Sequence, residues 1–136
     1  MTTSLTIPRT LANKLLSLAQ LAPETEICGL ISKADGDKYR VYPVENIATD
    51  KSHVFEMQPQ QQIGAFKSMR DQQENLFAIF HTHPHCEAIP SAKDMQDAAY
   101  NDALNIIISL STRGVLDMRG YFYKNEHFEP VDLVIE

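Results

Sequence analysis

The run 76-LFAIFHTHP-84 constrains the fold of this chain more than any other stretch. Five apolar residues in succession, Leu76 to Phe80, fit a core strand bounded by polar sequence. The strand passes straight into His81-Thr82-His83. Residues at i and i+2 of an extended chain share a face, so the two imidazoles converge if strand geometry persists through Thr82. Pro84 favours that geometry, because the residue before proline is pushed toward extended conformations. A loop then carries His83 to Pro90, and 91-SAKDMQDAAYN-101 reads as a helix. Ser91 followed three residues later by Asp94 is a capping box, which would hold the aspartate close to the strand end.

The remaining elements surround this centre. Ile7, Leu11, Leu15, Leu18 and Leu21 recur at spacings of three and four, the stripe of an amphipathic helix over residues 8–22, with Pro8 in its first turn and Pro23 ending it. The runs 26-EICGLIS-32 and 39-YRVYPVEN-46 predict a hairpin around the turn 35-DGD-37. Residues 47–58 read as a loop with an extended piece at 53-HVFEM-57, and 59–74 as a second helix carrying Ile63, Phe66, Met69 and Arg70. Three further strands are predicted at 105–111, 116–124 and 127–135, the apolar first of them central. Helices and strands interleave without a linker or repeat, which predicts an α/β or α+β single domain over residues 1–136 with a mixed sheet.

Composition narrows the function. At 136 residues with 43% hydrophobic side chains the chain can bury a real core, and its formal net charge of −6 argues against nucleic-acid or anionic-membrane binding. No apolar run approaches the ~18 residues of a membrane span, and the N-terminus lacks the pattern of a secretory signal. Two cysteines, Cys28 and Cys86, do not make a disulfide framework. The expected setting is cytoplasmic.

Each chemistry-bearing residue has a plain reading. A single histidine at a strand end is usually a hydrogen-bonding residue, and Ser91 with Asp94 is explained by capping alone. The combination is not so explained. Two imidazoles and one carboxylate are a donor set for zinc, and with three protein ligands one coordination position stays open for chemistry.

The arrangement His81-Thr82-His83, seven residues, Ser91, two residues, Asp94 resembles the H-[ST]-H-x7-S-x-x-D signature of the JAMM (MPN+) metalloproteases, and 26-EICGL-30 resembles the glutamate that precedes Cys-Gly in that family. The resemblance extends from about residue 5 to the C-terminus. It implies a JAB/MPN-like fold of cytidine-deaminase-like architecture, with one zinc held by His81, His83 and Asp94. Glu26 is implied as general base and then general acid, and Ser91 as donor to the developing oxyanion. Cys28 is then a packing residue, Gly29 permits close backbone approach, and the Thr82 side chain points away from the metal. His85, Cys86 and Glu87 fall outside the signature and are expected on the rim of the cleft, whereas His53 and His127 are read as ordinary polar residues. A thiol hydrolase built on Cys86 and His85 is the reading that adjacency alone suggests, and adjacency is not catalytic geometry.

The compact chain is most similar to the short prokaryotic branch of the family. That branch implies cleavage of the amide bond after the C-terminal Gly-Gly of a ubiquitin-like sulfur-carrier protein, with 53-HVFEM-57 or its neighbour bordering the tail groove. The alternative is a catalytically inactive scaffold subunit of the same fold. The chain does not fix its own oligomeric state, a homodimer being one option.

Overall fold

The computed structural model describes residues 3–97, 103–111 and 117–136. Its elements in chain order are β1 (Thr3–Ile7), α1 (Arg9–Leu21), β2 (Cys28–Ala34), β3 (Lys38–Val44), α2 (Pro59–Asp71), β4 (Asn75–His83), α3 (Ala92–Asp97), β5 (Leu104–Ser109), β6 (Asp117–Lys124) and β7 (His127–Ile135). The seven strands form one mixed sheet in the order β1-β7-β6-β5-β4-β2-β3. β5 is the middle strand, as its apolar sequence predicts, and β4 lies beside it in parallel. The remaining contacts are antiparallel, apart from the parallel pairing of β1 with β7.

Strand alternation sorts the core into two faces. Ile31 of β2, Ala78 and Phe80 of β4, and Leu104, Ile106 and Ile108 of β5 meet Leu11, Ala12, Leu15 and Ala19 of α1. On the opposite face Leu30 and Ile79 pack with Ala65 and Met69 of α2, while Ile107 packs with Ala88 and Tyr121. The β4 side chains of odd number, Ile79, His81 and His83, therefore share the α2 side. Thr82 shares the α1 side with Phe80.

Several sequence expectations change here. Ile7 does not open the apolar stripe of the helix but is the fully buried end of β1, a strand that the helical reading of residues 8–22 concealed. Pro8 caps α1 in an extended conformation and the helix begins at Arg9. Leu21 and Ile63 are 82% and 68% exposed, so the buried stripes run through Ala12 and Ala19 in α1 and Ala65 and Met69 in α2. β2 begins at Cys28, which leaves Glu26 in the connection before it, and β4 runs two residues further than predicted, through His83. Of the helix expected over 91–101, residues 92–97 are helical and 98–101 lie outside the described residues, as does residue 116 at the predicted start of β6.

Gly29 is required by packing. A Cβ built there would meet the Tyr42 backbone oxygen and come within 2.6 Å of the Phe80 ring. Gly29→Ala is expected to cost about 1–3 kcal/mol or more, read as a lowered urea midpoint. An unchanged midpoint would show that β2 can move off its neighbours freely.

Candidate active site

Four side chains from three parts of the chain meet at the C-terminal end of β4. Ligand atoms of Glu26, His81, His83 and Asp94 all lie within 4.8 Å of one another, and all four residues are buried or nearly so. His81 Nε2 and His83 Nε2 are 3.1 Å apart, and each is 3.2 Å from Asp94 Oδ2. Three lone-pair atoms facing one another at that distance are a donor set rather than a hydrogen-bond network, since two imidazole nitrogens cannot both donate to a shared oxygen and also satisfy each other. Ligands at zinc distances in a tetrahedron stand roughly 3.3–3.4 Å apart. The observed triangle fits that spacing to within a few tenths of an ångström.

The supporting bonds set the orientation of each group. His83 Nδ1 lies 2.7 Å from the Glu87 carbonyl, so it donates there and leaves Nε2 as the acceptor. Phe55 stacks on the His81 ring at 4.5 Å and 28°. The Ser91 N–H donates to Asp94 Oδ2 at 2.9 Å, and the Asp94 N–H donates to Ser91 Oγ at 3.0 Å. This is the reciprocal capping box read from the sequence, and it swings the carboxylate back over the strand end. The Ser91 hydroxyl accepts in this pair, which leaves its hydrogen to donate elsewhere.

Thr82 points to the opposite face, as expected. Its Oγ1 accepts from the Ile27 N–H at 2.9 Å, and its own N–H donates to the Ile27 carbonyl at 3.0 Å. These two bonds extend the β2–β4 pairing past Cys28, which lies opposite His81, and bring Glu26 beside the imidazoles.

The electrostatics of the four groups follow from their burial and from their closeness to one another. Burial pushes the Glu26 carboxyl up to about 7, with Asp94 adding and His83 opposing. Its Oε1 is buried and has no hydrogen-bond partner. Burial holds His81 below the ordinary histidine range. His83 is also pulled down by burial, but Asp94 and the Glu87 carbonyl outweigh this and carry it upward. Asp94 is pushed up by burial and carried well below the usual carboxylate range by the two imidazoles and the Ser91 N–H.

A cleft of about 660 Å³ leads from His81 and Asp94 past Ile79, Ile107 and Phe128, walled by residues 54–57. That wall is built like an edge strand. Val54 donates to Asp50 and accepts from Asn46 Nδ2, Glu56 donates to Asn46 Oδ1 and accepts from Ile47, and Gln58 donates to Glu45. Backbone groups of the even residues are thus spent on one side. With strand alternation, those of Phe55 and Met57 lie on the opposite edge, which no backbone group of the described residues pairs.

A family model described as prokaryotic homologs of the JAB domain matches residues 8–121. The chain belongs to that family. It is a JAMM-type hydrolase, as its signature implies, and its mixed sheet with flanking helices is the JAB fold. Among curated relatives, a desampylase of Haloferax volcanii is 23% identical over 84% of this chain and 81% of its own. A CysO-cysteine peptidase of Mycobacterium tuberculosis is 25% identical over 86% of this chain and 81% of its own. Among solved structures, protein DSY2949 of Desulfitobacterium hafniense superposes with a TM-score of 0.83 at 30% identity, covering 96% of this chain and 92% of its own.

The other sequence candidates lie apart from the JAB centre. Cys28 is buried, its Sγ contacts the Val44 carbonyl at 3.4 Å, and burial pushes its thiol up to about 12, which suits a packing residue. Cys86 is exposed with a raised thiol, and the His85 imidazole is 3.5 Å from Glu24, so they form no thiolate–imidazole pair. His53 pairs with Asp50 and His127 with Glu129, all exposed. Glu87 sits at the rim as expected, yet its carbonyl orients His83. Asn46 carried no sequence signal, and Phe55 was read only as part of the 53–57 stretch at the groove, because the contacts of Asn46 with Glu26 and of Phe55 with His81 span about 20 residues or more.

The unpartnered Glu26 carboxylate costs stability in the metal-free protein. Its folded-state value of about 7 lies above the ordinary 4.5, so the folded chain holds a proton the unfolded one releases, and stability falls as pH rises through that interval. Glu26→Gln is therefore expected to stabilise metal-free protein at pH 8 by about 1–3 kcal/mol and to do little near pH 4.5. Thermal melts at the two pH values check the sign.

Proposed function

We propose that this protein hydrolyses the amide or isopeptide bond after the C-terminal Gly-Gly of a ubiquitin-like, sulfur-carrier type protein. The observation that carries the reading is the His81–His83–Asp94 triangle beside the buried Glu26, whose Oε1 has no hydrogen-bond partner, at the end of a cleft walled by residues 54–57. The similarity to enzymes named desampylase and CysO-cysteine peptidase supports a small ubiquitin-like protein as substrate. An inactive scaffold is not favoured.

His81, His83 and Asp94 hold the metal in this reading, and two imidazoles with one carboxylate suit zinc. When bound, zinc supplies Lewis acidity toward the scissile carbonyl and the attacking water. Glu26 takes the proton from that water as it attacks and delivers it to the nitrogen of the departing amine. The raised affinity of Glu26 for a proton suits both halves of that transfer. Ser91 donates its hydroxyl hydrogen to the carbonyl oxygen as negative charge develops there. The substrate tail lies extended along the edge of Phe55 and Met57, pairing with their free backbone groups. Phe55, stacked on His81, narrows the approach, so glycines at the cut let the tail backbone reach the reacting centre.

Zinc-loaded protein incubated with a Gly-Gly-ended ubiquitin-like protein carrying a C-terminal extension is expected to release that extension, seen as two product masses. Glu26→Gln should retain zinc and yield no product, and Ser91→Ala should lose about 10²–10³ in rate. An intact substrate mass with zinc-loaded wild type, or turnover by Glu26→Gln at the wild-type rate, would overturn the reading. Valine in place of the substrate's penultimate glycine is expected to abolish turnover, and undiminished cleavage would exclude the narrow groove.

A further inference from the structure

Asn46 lies just past β3, at the antiparallel bridge to Met57, and is 7% exposed. All four hydrogen-bonding positions of its amide are used. Nδ2 donates to the Glu26 carbonyl at 2.9 Å and to the Val54 carbonyl at 3.0 Å. Oδ1 accepts from the N–H groups of Ala48 and Glu56, both at 3.0 Å. The orientation of the amide is settled by these partners, because a flip would set oxygen against two carbonyls and NH₂ against two N–H donors.

One side chain thus ties two parts of the site together. Val54 and Glu56 flank Phe55, so their bonds to Asn46 fix which backbone groups of residues 54–57 turn outward to the cleft. The Glu26 carbonyl is held by the same amide, while the Glu26 N–H donates to the Lys51 carbonyl at 2.7 Å and the next N–H is held by Thr82. The backbone that carries the base is pinned on one side by β4 and on the other by the groove loop. The Asn46 amide thus hydrogen-bonds both that loop and the Glu26 carbonyl.

We infer that Asn46 is a positioning residue: it sets the Glu26 carboxylate against the histidine–aspartate triangle and, through the same amide, sets the register of the 54–57 edge that seats the substrate tail. This rests on the hydrolytic reading above. Aspartate is the discriminating replacement, since it keeps the shape and both acceptor bonds but faces the Glu26 and Val54 carbonyls with an oxygen. The consequence is a base displaced from its target without loss of the three ligands.

Wild type and Asn46→Asp, both zinc-loaded, are to be compared on the Gly-Gly-extended substrate, with zinc content measured in parallel. The expected result is a kcat lower by about 100-fold, the effect of a misplacement near 1 Å, with zinc still bound one to one. Glu56→Pro removes the N–H that meets Asn46 Oδ1 while fixing φ at position 56 and restricting Phe55, and is expected to raise KM more than it lowers kcat. Asn46→Asp with kcat within threefold of wild type overturns the inference. Should Asn46→Asp not fold, the Glu56→Pro split decides: a fall in kcat with KM unchanged overturns it. An inactive wild type sinks the hydrolytic reading instead, and hydrogen exchange then judges Asn46. Peptides covering 24–27 and 47–57 should exchange about tenfold faster in Asn46→Asp with β4 unchanged, and equal exchange overturns the inference.

Discussion

Cys28 lies opposite His81 in the antiparallel pairing of β2 with β4, and Thr82 continues that pairing onto Ile27. The rest of the site depends on this register. A shift of one residue in β4 would turn His81 and His83 into the α1 core and Thr82 into the cleft. Such a slip is opposed by the burial of Phe80 and Ala78 against α1 and by Ile79 against α2. Packing on both faces of the sheet thereby holds two imidazoles at the strand end, and the Thr82 bonds to Ile27 bring Glu26 beside them.

The site is a place where local stability is given up. A buried carboxylate oxygen without a partner, and two imidazole nitrogens facing one another, are unfavourable in the metal-free chain. The fold tolerates them because they sit at the margin of a sheet whose centre is wholly apolar, from Leu30 and Ile31 through Phe80 to Ile106, Ile107 and Ile108. Second-layer bonds keep the arrangement from relaxing. Glu87 holds His83, Ser91 holds Asp94, and Asn46 with Lys51 and Thr82 holds the backbone at Glu26.

The groove follows from the same economy of backbone groups. Residues 54–58 satisfy one edge through Asn46, Ile47, Glu45 and Asp50 and leave the other toward the cleft. No helix of the described residues is long and apolar enough to cross a membrane.

Much of this was legible in the chain itself. Periodicity located the helices and six of the seven strands, because apolar spacing reports directly which face is buried. The spacing of His81, His83, Ser91 and Asp94 also located the donor set, because strand alternation and a capping box are local rules that act within fourteen residues. β1 was hidden by Pro8 and the leucines after it, and Leu21, read by its spacing as part of the amphipathic stripe, is exposed at the end of α1. Only tertiary structure decided that Glu26 stands outside its strand, that Phe55 covers His81, and that Asn46 joins Glu26 to the loop of residues 54–57. Those relations depend on β-sheet register and loop packing between segments far apart in the chain, for which neighbouring residues carry no imprint.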